Sequence, residues 1–276
     1  FVYVSSSEIY GRKDNNNPYQ ENEYGYIDVL NSRSSYPISK RAAETLCASY
    51  IAEKDIAVSI VRPGHIYGPT ATRKDNRVST AFAYNASDGK DIIMKSDGAQ
   101  IRSYCYMLDC ASAILYVLLK GKKGEAYNIS NPNSIMSIRE LAEYLAKVGN
   151  VRLKFELPSQ DEKKAFNPMN NSSLNSEKLC GLGWSGLFDA KLGLEHTVKI
   201  IKNIMKKLYQ RWCIKNAIKY CCAIMILVIV SLNTTNVDAK TYNVNYTKTI
   251  SSYEGKSIQL KWKGKSSKVK WYSSDG

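Results

Sequence analysis

The sequence has few of the residues that bind metals. Only two histidines occur, His65 and His196, and the seven cysteines include no Cys-x-x-Cys pair. Zinc sites usually need closely spaced ligands of these types, so the sequence predicts no metal site. The cysteines are scattered and odd in number, which argues against a disulfide framework and indicates free thiols in a reducing compartment. Those expected to be free are Cys47, Cys105, Cys110 and Cys180.

Acidic residues are scarce at only one end of the chain. The formal net charge is +14, but residues 1–204 contain 26 Lys and Arg against 22 Asp and Glu. Residues 205–276 contain 13 basic residues against 3 acidic ones, a net of +10. A nucleic-acid-binding domain carries its basic residues across a folded face. The distribution therefore predicts no nucleic-acid binding by the larger part of the chain.

A membrane-spanning helix needs an apolar run of about twenty residues, and the sequence has none of that length. The longest run, 221–232, has twelve residues and follows a basic stretch. A secretory signal peptide typically has such a basic stretch, then a short apolar core, then a small residue like the one that ends 237–239. This signal peptide would begin at Met205. A short signal anchor and a buried helix are the alternatives. We assign 204–239 to a signal-peptide-like or short membrane segment, with a membrane contact through 217–232.

Residues 240–276 alternate polar and apolar side chains, as short antiparallel strands do. The stretch Val269-Lys-Trp-Tyr-Ser-Ser-Asp resembles a strand and turn of bacterial immunoglobulin-like surface domains. The tail is therefore identified as the beginning of such a β domain, too short to close a sandwich. We expect residues 1–203 to be cytoplasmic and 205–276 to be exported or membrane-anchored, which suggests two joined reading frames.

Residues 1–203 alternate strand-like and helix-like segments. The run at 57–61 is short, apolar and rich in β-branched residues, as a buried parallel strand is. Ser137 and Glu140 form a capping box at the start of one helical segment. This alternation predicts an α/β fold with a parallel sheet and right-handed crossovers. The predicted strands are 2–6, 57–61, 91–94, 125–129 and 152–156, and the predicted helices are 38–54, 78–86, 108–120, 138–148 and 190–204.

A Tyr-x-x-x-Lys pair near the start of the chain stands out from its context. With 20 tyrosines and many lysines, such pairs arise by chance. Tyr36 and Lys40 differ because they open a helix and follow the strand-borne run Ser5-Ser-Ser-Glu8. The other two pairs, interpreted as ordinary helix residues, are Tyr50/Lys54 and Tyr116/Lys120.

The chemistry of this pair depends on its spacing. Tyr36 and Lys40 share one helix face, and Pro37 lies where a missing N–H is tolerated. The ammonium favours the ionised phenol, which makes Tyr36 a usable base. With a serine hydroxyl nearby, the arrangement suits proton removal from a substrate hydroxyl.

A second glycine-containing motif predicts no function. Gly181-Leu-Gly-Trp-Ser-Gly186 has the spacing of a dinucleotide-binding turn. It follows a helical stretch at 175–180, whereas that fingerprint lies between a strand and a helix. We interpret it as a turn that ends a helix.

Together, the motifs of residues 1–203 resemble the C-terminal two-thirds of an extended short-chain dehydrogenase/reductase, in the NAD-dependent nucleotide-sugar epimerase/dehydratase group. Their order and spacing carry the resemblance. It implies a Rossmann-type parallel sheet with a small substrate-binding subdomain, NAD as cofactor, a nucleotide-sugar substrate and, in the full-length parent, a homodimer. The motifs are Ser5-Ser-Ser-Glu-Ile-Tyr-Gly11, Tyr36-Pro-Ile-Ser-Lys-Arg-Ala-Ala-Glu44, Val61-Arg-Pro-Gly-His-Ile-Tyr-Gly-Pro69, Gln100-Ile-Arg-Ser-Tyr-Cys-Tyr-Met-Leu-Asp109 and Leu182-Gly-Trp184.

The resemblance also implies roles for individual residues. Ser6 would hydrogen-bond the sugar 4-hydroxyl, Tyr36 would be the base there, and Lys40 would bind the nicotinamide ribose beside Tyr36. Arg102 matches an arginine near the nucleotide diphosphate, its natural bidentate partner. NAD would take the C4 hydride and leave a 4-keto sugar. The remaining assignments are Pro63 and Arg77 near the cofactor, and Ser7 and His65 at the substrate.

Glu8 bears on the product of the reaction. The Ser-Ser-Glu run is closest to UDP-glucuronate decarboxylases, whereas the dehydratases usually carry an Asp-Glu pair and Ser7 stands at that Asp position. We expect a decarboxylase or an epimerase with Glu8 as a catalytic residue, and a structural carboxylate is the alternative for Glu8. His65 stands where many relatives have Asn, so the exact sugar stays open.

The first βαβαβ half of the family fold, with its Gly-rich phosphate-binding turn, is not found in the sequence. We therefore expect this polypeptide alone to be inactive and not to bind NAD, and an N-terminally extended parent to be the enzyme. Its expected role is surface-polysaccharide synthesis. The alternative is an exported immunoglobulin-like protein accidentally fused to an epimerase fragment.

Overall fold

The computed structural model describes residues 1–156, 158–159, 169–207 and 209–210. The immunoglobulin-like tail predicted for 240–276 lies outside these residues, and so does most of the signal-peptide-like segment, from 211 onwards. Within the described part of the chain, no helix is long and apolar enough to cross a membrane.

The described strands are short, and all five predicted strands are present with shifted ends. The ends differ because pairing with a neighbouring strand, rather than apolar content, decides where a strand stops. The strands are β1 (Val2–Val4), β2 (Ser59–Pro63), β3 (His65–Tyr67), β4 (Ile92–Met94), β5 (Ile101–Tyr106), β6 (Ala126–Ile129), β7 (Ile135–Ser137), β8 (Leu153–Phe155) and β9 (Asn171–Ser172).

The predicted helices are likewise present, within a few residues at each end. Ser137 caps α4 through the predicted capping box, in which its side chain and that of Glu140 bond each other's backbone N–H. The helices are α1 (Ser35–Lys54), α2 (Val78–Asp88), α3 (Met107–Lys120), α4 (Ile138–Gly149), α5 (Glu177–Cys180) and α6 (190–207).

Three parallel strands form the first sheet, in the order β1-β2-β6. Helices lie between these strands in the sequence, so the α/β class with a parallel Rossmann-like sheet is confirmed. The carboxyl ends of the three strands meet at one edge of the sheet. Ligands of open α/β sheets bind at this edge.

A second sheet continues from that edge. In this sheet, β5 pairs in parallel with β3 and β9 and antiparallel with β7. A separate two-stranded sheet consists of β4 and β8. The sequence did not predict β3, β5, β7 or β9. β5 buries polar residues such as Arg102 and Ser103 on both faces, so no apolar alternation marks it.

Apolar side chains from the first sheet pack against α3 and the segment after α5. Val61, Ile129 and Val117 are fully buried there together with Trp184, whose indole N–H donates to the Ser112 hydroxyl at 2.9 Å. Trp184 belongs to the glycine-rich stretch 181–186. That stretch is a turn after a helix, as predicted, with no strand leading into it.

A buried carboxylate fixes the loop that precedes α6. Asp109, in the first turn of α3, accepts the backbone N–H groups of Leu187 and Phe188, each at 2.9 Å. Gly186 approaches so closely that a Cβ there would lie 2.9 Å from the Asp109 carboxylate and 2.5 Å from the Asn131 amide. The carboxylate therefore holds a loop that has no regular structure of its own.

Asp109→Ala should lower the free energy of unfolding by about 3 kcal/mol, because two buried N–H groups lose their acceptor. Asp109→Asn keeps one acceptor oxygen and should lose about half as much. Urea unfolding of the two variants measures this. Equal stability of Asp109→Ala and the wild type would contradict the assignment.

Candidate active site

Ser6 and Glu8 lie just beyond the carboxyl end of β1. The strand continues its pairing through the N–H of Ser5, which donates to the Val61 carbonyl at 2.8 Å. A short 3₁₀ helix (Ser7–Tyr10) follows, and the Ser6 hydroxyl caps it by accepting the Glu8 N–H at 3.2 Å. The predicted hydroxyl and carboxylate are thus joined at the edge where ligands bind in this fold class.

Tyr36 and Lys40 face the same edge from the first turns of α1. The Lys40 ammonium donates to the Val4 carbonyl at 2.9 Å, and its Nζ lies 6.0 Å from the centre of the Tyr36 ring. Tyr36 remains 49% exposed. Pro37 is the third residue of the helix, where no intrahelical partner exists for an N–H. The lysine therefore links the tyrosine's helix to the strand that leads to Ser6.

A cleft of about 350 Å³ opens beside these groups. Glu8 lies on one wall, and Ser34 and Pro37, which flank Tyr36 in the sequence, line another. Arg12 and Asp28 add charges of both signs. The cleft is large enough for a small polar ligand and reaches from Glu8 to the first turn of α1.

Arg102 is a buried cation without a carboxylate partner in the described part of the chain. It is 3% exposed and donates to the backbone carbonyls of Ile101, at 2.9 Å, and Asn170, at 3.5 Å. Burial lowers its pKa, an effect that the nearby Tyr104 and Glu8 partly offset. A guanidinium in this state is suited to bind an anion.

His65 opens β3, opposite Tyr104 of β5. Its Nδ1 is buried and has no hydrogen-bond partner among the described residues. Burial, together with the charges of Arg102 and Arg77, lowers the pKa of His65 to about 4. The imidazole is therefore neutral at pH 7 and offers one acceptor and one donor nitrogen.

The other predicted contacts are spread along the same edge. Pro63 ends β2, and Ser7 is buried in the first turn of the 3₁₀ helix. Arg77 precedes α2, where it pairs with Asp75 at 2.5 Å and donates to the Ile66 carbonyl at 2.7 Å. Ligand contacts of these three residues remain predictions.

The sequence did not predict a buried ion pair between β2 and α1. Arg62 of β2 makes a two-pronged bond to Glu44 of α1, and the same guanidinium donates to the hydroxyl of Tyr10. Two signals were available. An arginine interrupts the apolar strand, and Glu44 lies on the helix face of Tyr36 and Lys40 at the next four-residue step.

A second arginine holds the loop around Glu8. Arg41, next to Lys40, donates to three backbone carbonyls, those of Ile9 at 2.6 Å, Tyr10 at 3.1 Å and Gly25 at 2.9 Å. These carbonyls flank the cleft at the end of the 3₁₀ helix. The side chains next to the catalytic candidates in sequence therefore shape the loop opposite them.

The described domain has a Rossmann-like α/β fold with a parallel sheet, and it shares this fold with the solved structures it resembles. Residues 1–130 match the NAD dependent epimerase/dehydratase family. The chain is 30% identical over 207 residues to the dTDP-D-glucose 4,6-dehydratase of Homo sapiens, covering 72% of this chain and 55% of the relative. It is 27% identical over 199 residues to UDP-glucuronic acid decarboxylase 1 of Xenopus tropicalis, covering 71% and 45%.

A solved structure supports the same fold. A variant UDP-glucuronic acid 4-epimerase from Bacillus cereus, bound to NAD and UDP-4-deoxy-4-fluoro-glucuronic acid, superimposes with a TM-score of 0.62 at 22% identity. The alignment covers 74% of this chain and 62% of that one. The chain spans about half the length of the relatives it matches.

Acid should destabilise the fold through His65. Its folded pKa of about 4 lies below the ordinary 6.5, so between these values the unfolded chain binds a proton that the folded chain does not. The wild type should lose about 1–3 kcal/mol relative to His65→Asn when the pH falls from 7 to 4.5. Urea unfolding at both pH values measures the difference.

His196→Asn is the matched control, because His196 is the other histidine and its ring accepts from or donates to the Tyr106 hydroxyl at 2.7 Å. A stability difference between the wild type and His65→Asn that stays the same at both pH values would contradict the burial of a neutral imidazole.

Proposed function

We propose that the protein modifies a nucleotide sugar in an NAD-dependent reaction that passes through a C4-keto intermediate, of the epimerase or decarboxylase type. One observation carries the proposal: Ser6 and Glu8 lie at the same sheet edge as the Tyr36–Lys40 pair, and Glu8 interacts with the buried cation Arg102, which has no carboxylate partner among the described residues. This is the set of groups that oxidation of a sugar hydroxyl beside a diphosphate requires.

Tyr36 is proposed as the base. Its exposed phenol would remove the proton from the sugar 4-hydroxyl, while the Ser6 hydroxyl would hold that oxygen by a hydrogen bond. NAD, when bound, supplies the acceptor for the C4 hydride. The Lys40 ammonium would stabilise the phenolate that begins the reaction.

The residues present fit the nicotinamide-ribose end of NAD. Lys40 uses one N–H for the Val4 carbonyl, which leaves two more for ribose hydroxyls. The Ser5 hydroxyl is buried at the end of β1 and has no partner among the described residues. Pro63 ends the neighbouring strand β2, where it would pack against the planar nicotinamide ring.

Arg102 is proposed to bind the diphosphate of the nucleotide sugar. Its planar guanidinium matches two phosphate oxygens, and its burial strengthens such a bond. The neutral His65 ring lies beside it and would bind a hydroxyl or a base edge. An Asn at this position would offer one donor and one acceptor at a shorter reach.

Glu8 favours decarboxylation or epimerisation over 4,6-dehydration. It borders the cleft together with Arg12, and Ser7 stands where a second acid would be needed for dehydration. Decarboxylases are among the relatives, and so are dehydratases. An acidic sugar would place its carboxylate near Arg12 and leave Glu8 to act on the ring.

The proposal extends to the cellular setting. The four described cysteines are free thiols, which suits a cytoplasmic location for residues 1–203. A homodimer, a role in surface-polysaccharide synthesis and export or anchoring of residues 205–276 complete the proposal. Purification of the full-length protein from the membrane-free fraction as a dimer would support the cytoplasmic location and the homodimer.

Tyr36→Phe should lower kcat by about 100-fold or more, because the base is lost. Stability should change by less than about 0.5 kcal/mol, since the side chain is half exposed. The whole protein is assayed for NADH formation and product with UDP-, CDP- and dTDP-sugars.

Tyr50→Phe is the matched control. Tyr50 lies on the same helix, is 50% exposed and also precedes a lysine by four residues. Its kcat should equal that of the wild type. Equal losses in both variants, or none in Tyr36→Phe, would refute the catalytic role.

Arg102→Met should weaken the binding of UDP by about tenfold or more, measured by calorimetric titration. The same change should leave stability unchanged or raise it, because a buried charge that has no carboxylate partner among the described residues is removed. Arg152→Met, an exposed arginine paired with Asp91 at 2.9 Å, is the control and should bind UDP normally. Unaltered UDP binding by Arg102→Met would contradict the assignment.

A further inference from the structure

We propose that Arg62 and Glu44 are positioning residues, whose buried ion pair sets the Tyr36–Lys40 helix against the loop that carries Ser6 and Glu8. The inference rests on the proposed function for its catalytic consequence. Its structural content, that one guanidinium couples two catalytic segments, can be tested separately.

The pair has the geometry of a fixed fork. The Arg62 Nε donates to Glu44 Oε1 at 3.0 Å and its Nη2 donates to Oε2 at 2.6 Å. Arg62 is 2% exposed. Two parallel charge-assisted bonds define both a distance and an angle between β2 and α1.

The remaining N–H groups of Arg62 reach the opposite side. Nη1 donates to the Tyr10 hydroxyl at 3.0 Å and the Glu21 carbonyl at 2.7 Å, and Nη2 also donates to the Tyr24 hydroxyl at 3.0 Å. All five donors of the guanidinium are therefore used. Two of these bonds go to Glu44 of α1 and three go to the segment at 10–24, so the guanidinium is held from both sides.

Both partners lie close in sequence to the proposed catalytic groups. Glu44 follows Tyr36 and Lys40 at successive four-residue steps on one face of α1. Tyr10 ends the 3₁₀ helix that begins after Ser6 and contains Glu8, and its own hydroxyl donates to Asn128 of β6 at 2.6 Å. Arg62 thus connects the base and the carboxylate through about two turns of α1 on the side of Tyr36 and through the short 3₁₀ helix on the side of Glu8.

A purely stabilising role makes a different prediction. Replacing a buried ion pair by apolar side chains of similar volume is often neutral or stabilising. If the pair serves stability alone, the double variant Arg62→Met/Glu44→Met will keep the wild-type kcat under all conditions in which the protein is folded. If it positions the site, kcat will fall although the protein remains stable, because misplaced reacting groups slow the chemical step.

The kinetic experiment uses the whole protein and four variants: Arg62→Lys, Glu44→Gln, the Met/Met double variant, and Asp109→Asn as a destabilised control remote from Tyr36. We expect kcat to fall on the order of tenfold or more in the first three, with KM for the nucleotide sugar within about twofold of the wild type. Lysine keeps the charge but not the fork, so Arg62→Lys should not rescue activity. Wild-type kcat in the double variant or in Arg62→Lys would overturn the inference.

Hydrogen exchange gives a readout that does not need turnover. In Glu44→Gln, the amides of the 3₁₀ helix at 7–10 should exchange faster, although the substitution lies on α1, and Asp109→Asn should leave them unchanged. Exchange at 7–10 that is unaltered in Glu44→Gln would refute the coupling, even if the wild type is active. A wild type that is inactive with every nucleotide sugar, but shows this coupled exchange, would refute the proposed function while the structural link stands.

Discussion

A single buried guanidinium holds the candidate site together. Arg62 sits on the central strand of a three-stranded sheet, and its five N–H groups fix α1 on one side and the loop after β1 on the other. Burial alone would lower its pKa, but the bonds to Glu44 and Tyr10 raise it instead. The charge is thus permanent, and the geometry around it is determined by hydrogen bonds rather than by apolar packing.

The second constraint is electrostatic. Arg102 is buried among backbone carbonyls, and the neighbouring His65 is held neutral by that burial and by the nearby arginines. A fold normally pairs a buried cation with a carboxylate. Arg102 has no such partner among the described residues, which lowers stability and supports its proposed role in binding an anionic ligand.

The sequence predicted the α/β class, five strands, five helices and the residues at the sheet edge, because apolar runs, a capping box and motif spacing are local signals. It missed β5 and its partners, since a strand that buries Arg102 and Ser103 shows no alternation. It also missed Arg62 and Glu44, which are eighteen residues apart. Local signals mark each of the two residues, but their pairing depends on how α1 crosses the sheet, which those signals do not specify. The tail from 211 onwards lies outside the described residues, so its predictions stand as they were made.

The central claim is that hydride leaves C4 of a nucleotide sugar when Tyr36 removes the proton from its hydroxyl. The most direct measurement is the kinetic isotope effect on kcat/KM with a nucleotide sugar deuterated at C4, using the whole protein and NAD. The account predicts a normal primary isotope effect and transient deuterated NADH. Turnover without an isotope effect and without any deuterium reaching the nicotinamide would contradict it.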